Sequence, residues 1–281
     1  MNAMTQNHAE VFQTEFVKTQ MGRLAVQARG HGERTIILWP SIFTDHRIFE
    51  RLARTLGDNL RFILVDGPGH GQSAGVETEF SMGDCAKALR DVMDHYGLQS
   101  AILGGTSWGG LVAAEFALST PDRVDALILM NTPMEIDGSR PSLSSRMIAL
   151  GARWGLRTRT FRNGIAKSFF DPDSLAMQPE YQGAFHAMLK AANPRTLAPA
   201  IRSVILRGAP LLPRMKELVV PTLVIAGEDD AMYPLEVQAE AALMAPRGRF
   251  EPVPGRHISA VDAPSEVATA IADFLKEESG Q

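Results

Sequence analysis

The chain has a single cysteine, Cys85, and only three tryptophans and three tyrosines among 281 residues. One cysteine excludes an internal disulfide and fits a reducing compartment; on a helical stretch it reads as a small buried residue. No run reaches the roughly 18 apolar residues needed to cross a bilayer. Residues 1–16 are polar and carry His8, Glu10 and Glu15, without the basic flank and apolar centre of a secretory leader. The expectation is a cytoplasmic protein that does not bind membranes. Positive charge is not in excess: 28 Lys and Arg stand against 32 Asp and Glu, a net −4, which argues against nucleic acid as a partner. There is no phosphate loop of the GxxxxGK[ST] kind and no His/Cys ligand cluster in the sequence, so no nucleotide, metal or other cofactor is expected. Repeats and low-complexity segments are also missing.

What is present is ordinary globular material, 45% hydrophobic and 21% charged. Residues 16–20 and 23–28 read as a β-hairpin around Met21-Gly22. Continuous apolar runs follow at 35–39, 61–65, 101–103, 124–130, 221–226 and 249–253, as expected of strands buried on both faces. Helical stretches separate them at 45–56, 81–96, 110–118, 234–244 and 262–277. Ser81 with Asp84 three residues on marks a capping-box start, and Gly97 marks the end of that helix. Between Pro133 and Leu218 the alternation stops and only helical patterns remain. The pattern predicts an α/β fold: a mostly parallel sheet of the eight-stranded type with helices on both faces. Residues 1–132 and 219–281 form the core and 133–218 an inserted helical cap.

The most informative motif is Gly105-Thr106-Ser107-Trp108-Gly109, placed between the run ending at Leu103 and the helical stretch beginning at Gly110. A G-x-S-x-G turn from strand to helix lifts the serine hydroxyl clear of the sheet, where it can act as a nucleophile, and the flanking small residues let strand and helix close around it. A neutral hydroxyl needs a base. His257, in a loop between the last strand and last helix, is the best placed of the seven histidines. His70, inside Asp66-Gly67-Pro68-Gly69-His70-Gly71-Gln72-Ser73, reads as structural. His8, His31, His46, His95 and His186 carry no comparable context.

With Gly227-Glu228-Asp229-Asp230 and Pro254-Gly255-Arg256-His257 in order behind them, these landmarks make the chain resemble the α/β-hydrolase superfamily over nearly its full length. Within it the chain is similar to small capped hydrolases: 3-oxoadipate enol-lactonases, non-haem haloperoxidase-like esterases and meta-cleavage-product hydrolases. The resemblance implies cofactor-free hydrolysis of a small molecule. It places the triad acid three residues after Gly227, at Asp230 rather than Asp229; some relatives carry it after the strand ending near Met130, where this chain has Asn131, Glu135 and Asp137. It also implies an oxyanion hole built from backbone N–H groups, one from Trp108 and one from Ile42, with Ser41 as the neighbouring alternative. Here the chain departs from the His-Gly of many relatives, having Pro40-Ser41 instead.

The cap carries the only hint about substrate. Residues 134–213 hold eleven Lys or Arg and five acids, a net +6, which leaves −10 for the rest. Such a lid would steer a carboxylate-bearing substrate inward, unless its arginines pair with acids on the body. Interleaved Met147, Trp154, Phe161, Phe169, Phe170, Met177, Phe185 and Met188 make the cap's own core or a pocket wall. The expected activity is hydrolysis of a carboxylic ester or lactone through an acyl-enzyme on Ser107, His257 and Asp230. The alternatives are C–C bond hydrolysis of ring-fission products on the same fold, which calls for a fixed basic residue facing the dienolate, and a ligand-binding receptor.

Overall fold

A computed structural model describes residues 12–136, 138 and 143–280, without the side chains of 144, 145 and 152–154. Eight strands form one sheet: β1 (Gln13–Thr19), β2 (Gly22–Arg29), β3 (Arg34–Trp39), β4 (Leu60–Val65), β5 (Ala101–Thr106), β6 (Val124–Met130), β7 (Thr222–Gly227) and β8 (Gly248–Val253). Their spatial order is β1-β2-β4-β3-β5-β6-β7-β8. The hairpin β1–β2 and the β2–β4 pair are antiparallel, and every other pair is parallel. In β5 and β7 all six residues are buried, as a sheet covered on both faces requires.

Helices α1 (Glu50–Leu56), α2 (Met82–His95), α3 (Trp108–Ser119), α9 (Leu235–Met244), α10 (Ser259–Asp262) and α11 (Pro264–Ser279) belong to the sheet layers, with a 3₁₀ turn at His46–Phe49 leading into α1. The capping box of α2 is formed: the Asp84 N–H donates to Ser81 Oγ and the Ser81 N–H to Asp84 Oδ2. The final helical stretch is α11, opened by Pro264, and the one-turn α10 precedes it across Ala263 at φ −135 and ψ 57. Between β6 and β7 every described element is helical: α4 (Leu143–Trp154), α5 (Arg159–Phe169), α6 (Pro172–Ala176), α7 (Pro179–Ala191), α8 (Pro194–Leu206) and short 3₁₀ turns. This helical segment is tied to loops of the sheet layers by the Ile258 N–H donating to the Phe169 carbonyl and the Phe80 N–H donating to Ser203 Oγ. Among the described residues no helix is long and apolar enough to cross a membrane.

The β5–α3 junction depends on missing side chains. A Cβ at Gly105 would lie 2.3 Å from the Trp39 carbonyl oxygen, and one at Gly109 only 1.7 Å from it. Both glycines therefore let the end of β3 press against the turn that carries Ser107. Gly109→Ala should destabilise the fold by about 3 kcal/mol or more, since backbone has to move. Gly164→Ala, where nothing lies within 4 Å, should be neutral or stabilising by up to about 1 kcal/mol. Thermal melting of the two variants checks the contrast; equal melting temperatures would contradict it.

Candidate active site

Ser107 sits between β5 and α3 with φ 57 and ψ −111. A positive φ at a non-glycine residue costs on the order of 1–3 kcal/mol and persists only where its surroundings enforce it. Here the Ser107 N–H donates to the Met130 carbonyl at 2.8 Å and its own carbonyl accepts from Leu111 N–H. The strand order does the rest. β5, β6, β7 and β8 are consecutive neighbours, so the residues that follow them in the chain line one edge of the sheet. Ser107 follows β5, Asn131 follows β6, Asp230 comes three residues after β7, and His257 four after β8.

His257 and Asp230 are brought together: Nδ1 of the imidazole lies 2.9 Å from Asp230 Oδ2, with both side chains buried. Burial opposes ionisation of Asp230. The hydrogen bond and charge of His257, the Met232 N–H and the Asn131 amide outweigh it and hold the carboxyl below its ordinary value. An ionised Asp230 fixes the proton of neutral His257 on Nδ1, leaving Nε2 as an acceptor. The ring is walled by Phe169 and Tyr233, with centroids at 5.1 and 5.3 Å. Asp229 is exposed and uses its N–H on the Gly255 carbonyl. Of the other acids near β6, Glu135 is exposed; Asp137 lies outside the described residues.

Asn131 is the residue that sequence reasoning passed over, having considered its position only as a place for an acid. It is fully buried with φ 46. Its Nδ2 donates to Asp230 Oδ2 at 3.0 Å and to the Arg256 carbonyl at 3.3 Å, and its Oδ1 accepts from Ser259 Oγ at 2.7 Å. One amide thus ties the Asp230 loop to both sides of His257. Its partners are 99 to 128 residues away, so no local spacing announces it. Asn131→Gly keeps the backbone angle and deletes the amide. A hydrogen bond to a charged group is worth about 1.5–3 kcal/mol, so kcat of the hydrolytic reaction should fall about ten- to a hundredfold with the fold retained. An unchanged kcat would show that the amide does not position Asp230.

The loop after β3 is held by its own network. Phe43, at φ 62, donates its N–H to His70 Nε2 at 3.1 Å, while His70 Nδ1 donates to the Pro68 carbonyl. Burial lowers the pKa of His70 and keeps it neutral, as its acceptor role demands. The Ser41 carbonyl accepts from both the N–H and the hydroxyl of Thr44. Among the described hydrogen bonds, none uses the N–H groups of Ser41, Ile42 or Trp108. The Ser41 hydroxyl is buried without a partner among the described residues. Ile42 is 6% exposed and Trp108 fully buried, its ring edge-on to Trp39.

Two further expectations meet particular surroundings. Cys85 is buried in α2, and burial pushes its thiol up, away from reactivity. His46, set aside from the sequence, lies with Asp45 and Asp66 in a buried cluster whose ligand-type atoms fall within 4.8 Å of one another. Each carboxylate is already engaged. Asp66 accepts from His46 N–H, His46 Nδ1 and Gln72 N–H, and Asp45 from the Arg47 guanidinium. Burial works against charge on His46, but Asp66, Asp45 and Glu50 together raise its pKa. The cluster pins the start of the 3₁₀ turn beneath the loop that holds Ile42.

The chain as a whole is similar to known proteins. Over 272 residues the chain is 26% identical to a 2-hydroxy-6-oxononadienedioate/2-hydroxy-6-oxononatrienedioate hydrolase of Paraburkholderia phymatum, covering 88% of this chain and 89% of that one. It is 26% identical over 256 residues to a pimeloyl-[acyl-carrier protein] methyl ester esterase of Edwardsiella ictaluri, covering 87% and 94%. The crystal structure of the enol-lactonase from Burkholderia xenovorans superposes with a TM-score of 0.85 at 21% identity, over 93% of this chain and 100% of that one. A family profile described as alpha/beta hydrolase fold matches residues 34–264. The chain belongs to the α/β-hydrolase superfamily and is a hydrolase.

Proposed function

We propose that the enzyme cleaves carboxylic esters or lactones through an acyl-enzyme on Ser107. The observation that carries this reading is the strained Ser107 turn on the same sheet edge as the buried His257–Asp230 pair. Ser107 Oγ attacks the carbonyl carbon while His257 Nε2 takes its proton. Asp230 orients the ring and stabilises the imidazolium, and the N–H groups of Ile42 and Trp108 receive the oxyanion. His257 then gives the proton to the leaving oxygen. Water, activated by the same histidine, attacks the acyl-enzyme and frees the acid. Residues 133–218 act as a cap over a core of 1–132 and 219–281, with Phe169 as the cap side chain against His257.

C–C bond hydrolysis is the second reading, favoured by the activity named for the Paraburkholderia relative. It requires a cation beside the substrate's dienolate. The aromatic rings packed on His257 are Phe169 and Tyr233, and the arginines nearest in sequence to site loops are engaged: Arg47 with Asp45 and Arg256 with the Lys167 carbonyl. That environment suits a neutral ester or lactone. A panel of p-nitrophenyl esters, an enol-lactone and a vinylogous 1,5-diketone, assayed on wild type, separates the readings. The ester or lactone should give the highest kcat/KM. A higher value for the diketone would replace this reading with C–C cleavage, and saturable binding without turnover of any member would indicate a receptor.

A further inference from the structure

Two groups can be distinguished among the basic residues of the insertion. Arg202 and Arg207 both reach Glu79 of the core at 2.8 Å, and Arg214, just beyond the insertion's basic run, reaches Glu115. These cations fasten the insertion to the body and present little field of their own. Arg159, Arg162 and Lys167 on α5 are in no described ion pair. With His186 of α7 they line one groove of about 550 Å³ on the insertion, and among the described residues no acid lines it. The charge imbalance seen in the sequence is therefore not spread over a lid. Part of it is neutralised against the core, and another part converges on this groove.

The groove has an apolar side as well. Phe170 and Leu175 contribute to its wall, and Phe170 is fixed edge-on to Tyr181 and Phe185 with centroids at 5.7 and 5.1 Å. The guanidinium of Arg162 is held by the Leu156 carbonyl at 2.8 Å, and its Nε is buried with no partner. Burial and then the charges of Arg162 and Arg159 hold the His186 pKa below its ordinary value. Arg162 and Arg159 are the charged groups that add to the effect of burial on His186. Phe169, the next residue to Phe170, packs on His257 instead, so the groove and the catalytic residues lie on two sides of one turn of chain.

We propose that the groove between α5 and α7 is a second binding site, separate from Ser107, for an oxyanion carried on an apolar chain, such as a monoalkyl phosphate or a medium-chain carboxylate. Arg159, Arg162 and Lys167 hold the oxyanion, and Phe170 and Leu175 take the chain. The site does not depend on the reaction assigned to Ser107.

The test is NMR titration of ¹³C-labelled histidines, with the His186 signal assigned by its loss in His186→Asn. The probes are octyl phosphate, octanoate, inorganic phosphate and octanol. Octyl phosphate and octanoate should shift the His186 signal saturably and move its titration midpoint upward, because a bound anion offsets the neighbouring cations. The tighter of the two identifies the headgroup. Inorganic phosphate should bind more weakly, and octanol should leave the signal in place. The exposed substitution Arg159→Gln should weaken octyl phosphate about tenfold or more, the scale of one charge-assisted hydrogen bond, without changing ester turnover. No saturable shift with either amphiphile, or equal affinity in Arg159→Gln, would overturn the site. Inorganic phosphate binding as tightly as octyl phosphate would overturn the apolar subsite, and octanol binding equally well would overturn the role of charge.

Discussion

Ser107→Ala is expected to lower kcat for ester hydrolysis by about 10⁶-fold, the scale found when the nucleophile of a serine triad is removed, while the protein stays folded. The site gives both halves of that expectation. In the proposed mechanism Oγ is the atom that forms the acyl-enzyme, so without it binding and oxyanion stabilisation alone remain. The turn itself is set by backbone: the Ser107 N–H bond to Met130 and the close approach of Gly105 and Gly109 to the Trp39 carbonyl survive the substitution. Alanine takes on the same strained φ as serine, so stability should change by less than about 1 kcal/mol. Steady-state kinetics and thermal melting, run side by side, check it. Wild-type turnover in the variant would remove Ser107 from the mechanism.

The second large effect distinguishes two adjacent carboxylates. Asp230→Asn should reduce kcat by about 10⁴-fold, and Asp229→Asn by less than about threefold, a change within the roughly ±0.5 kcal/mol of ordinary surface substitutions. An amide at 230 can turn its nitrogen toward His257 Nδ1, favouring the tautomer with the proton on Nε2, which cannot accept from Ser107. It also disturbs the oxygen that accepts from Asn131. Asp229 is exposed and its described hydrogen bond is through backbone. Kinetics of the two single variants decide the matter, and equal losses would move the acid elsewhere. The lowered pKa of Asp230 has a further consequence for stability. A carboxyl depressed in the folded state stabilises the fold above its unfolded value near 3.8 and loses that contribution as pH falls toward the folded pKa. The Asp230 contribution should therefore disappear only in acid below about pH 4.

Local signals made much of this architecture legible. Apolar runs of strand length, the Ser81–Asp84 cap and the G-x-S-x-G turn each act within a few residues, and each element stands where its pattern placed it. What escaped is what depends on distant partners. The sheet places β4 between β2 and β3, an order no run of residues states. Asn131 and Asp230 meet across 99 positions, and His46 meets Asp66 across 20, so neither polar network has a spacing to read. The positive balance of residues 134–213 was visible as a number, but which arginines are neutralised depends on Glu79 and Glu115, which face them only after folding. The side chains of Arg153 and Trp154, and residue Arg140, lie outside the described residues.

The most direct measurement is mass spectrometry of the enzyme after reaction with a p-nitrophenyl alkylphosphonate, which converts an activated serine into a stable phosphonyl ester. Wild type should gain one alkylphosphonyl group, located on the peptide containing Ser107, and lose esterase activity in proportion. Ser107→Ala should gain none, and Asp230→Asn should be labelled far more slowly than Asp229→Asn. Stoichiometric labelling at another residue, or full ester turnover by protein that carries the group on Ser107, would contradict the assignment of Ser107 as the nucleophile.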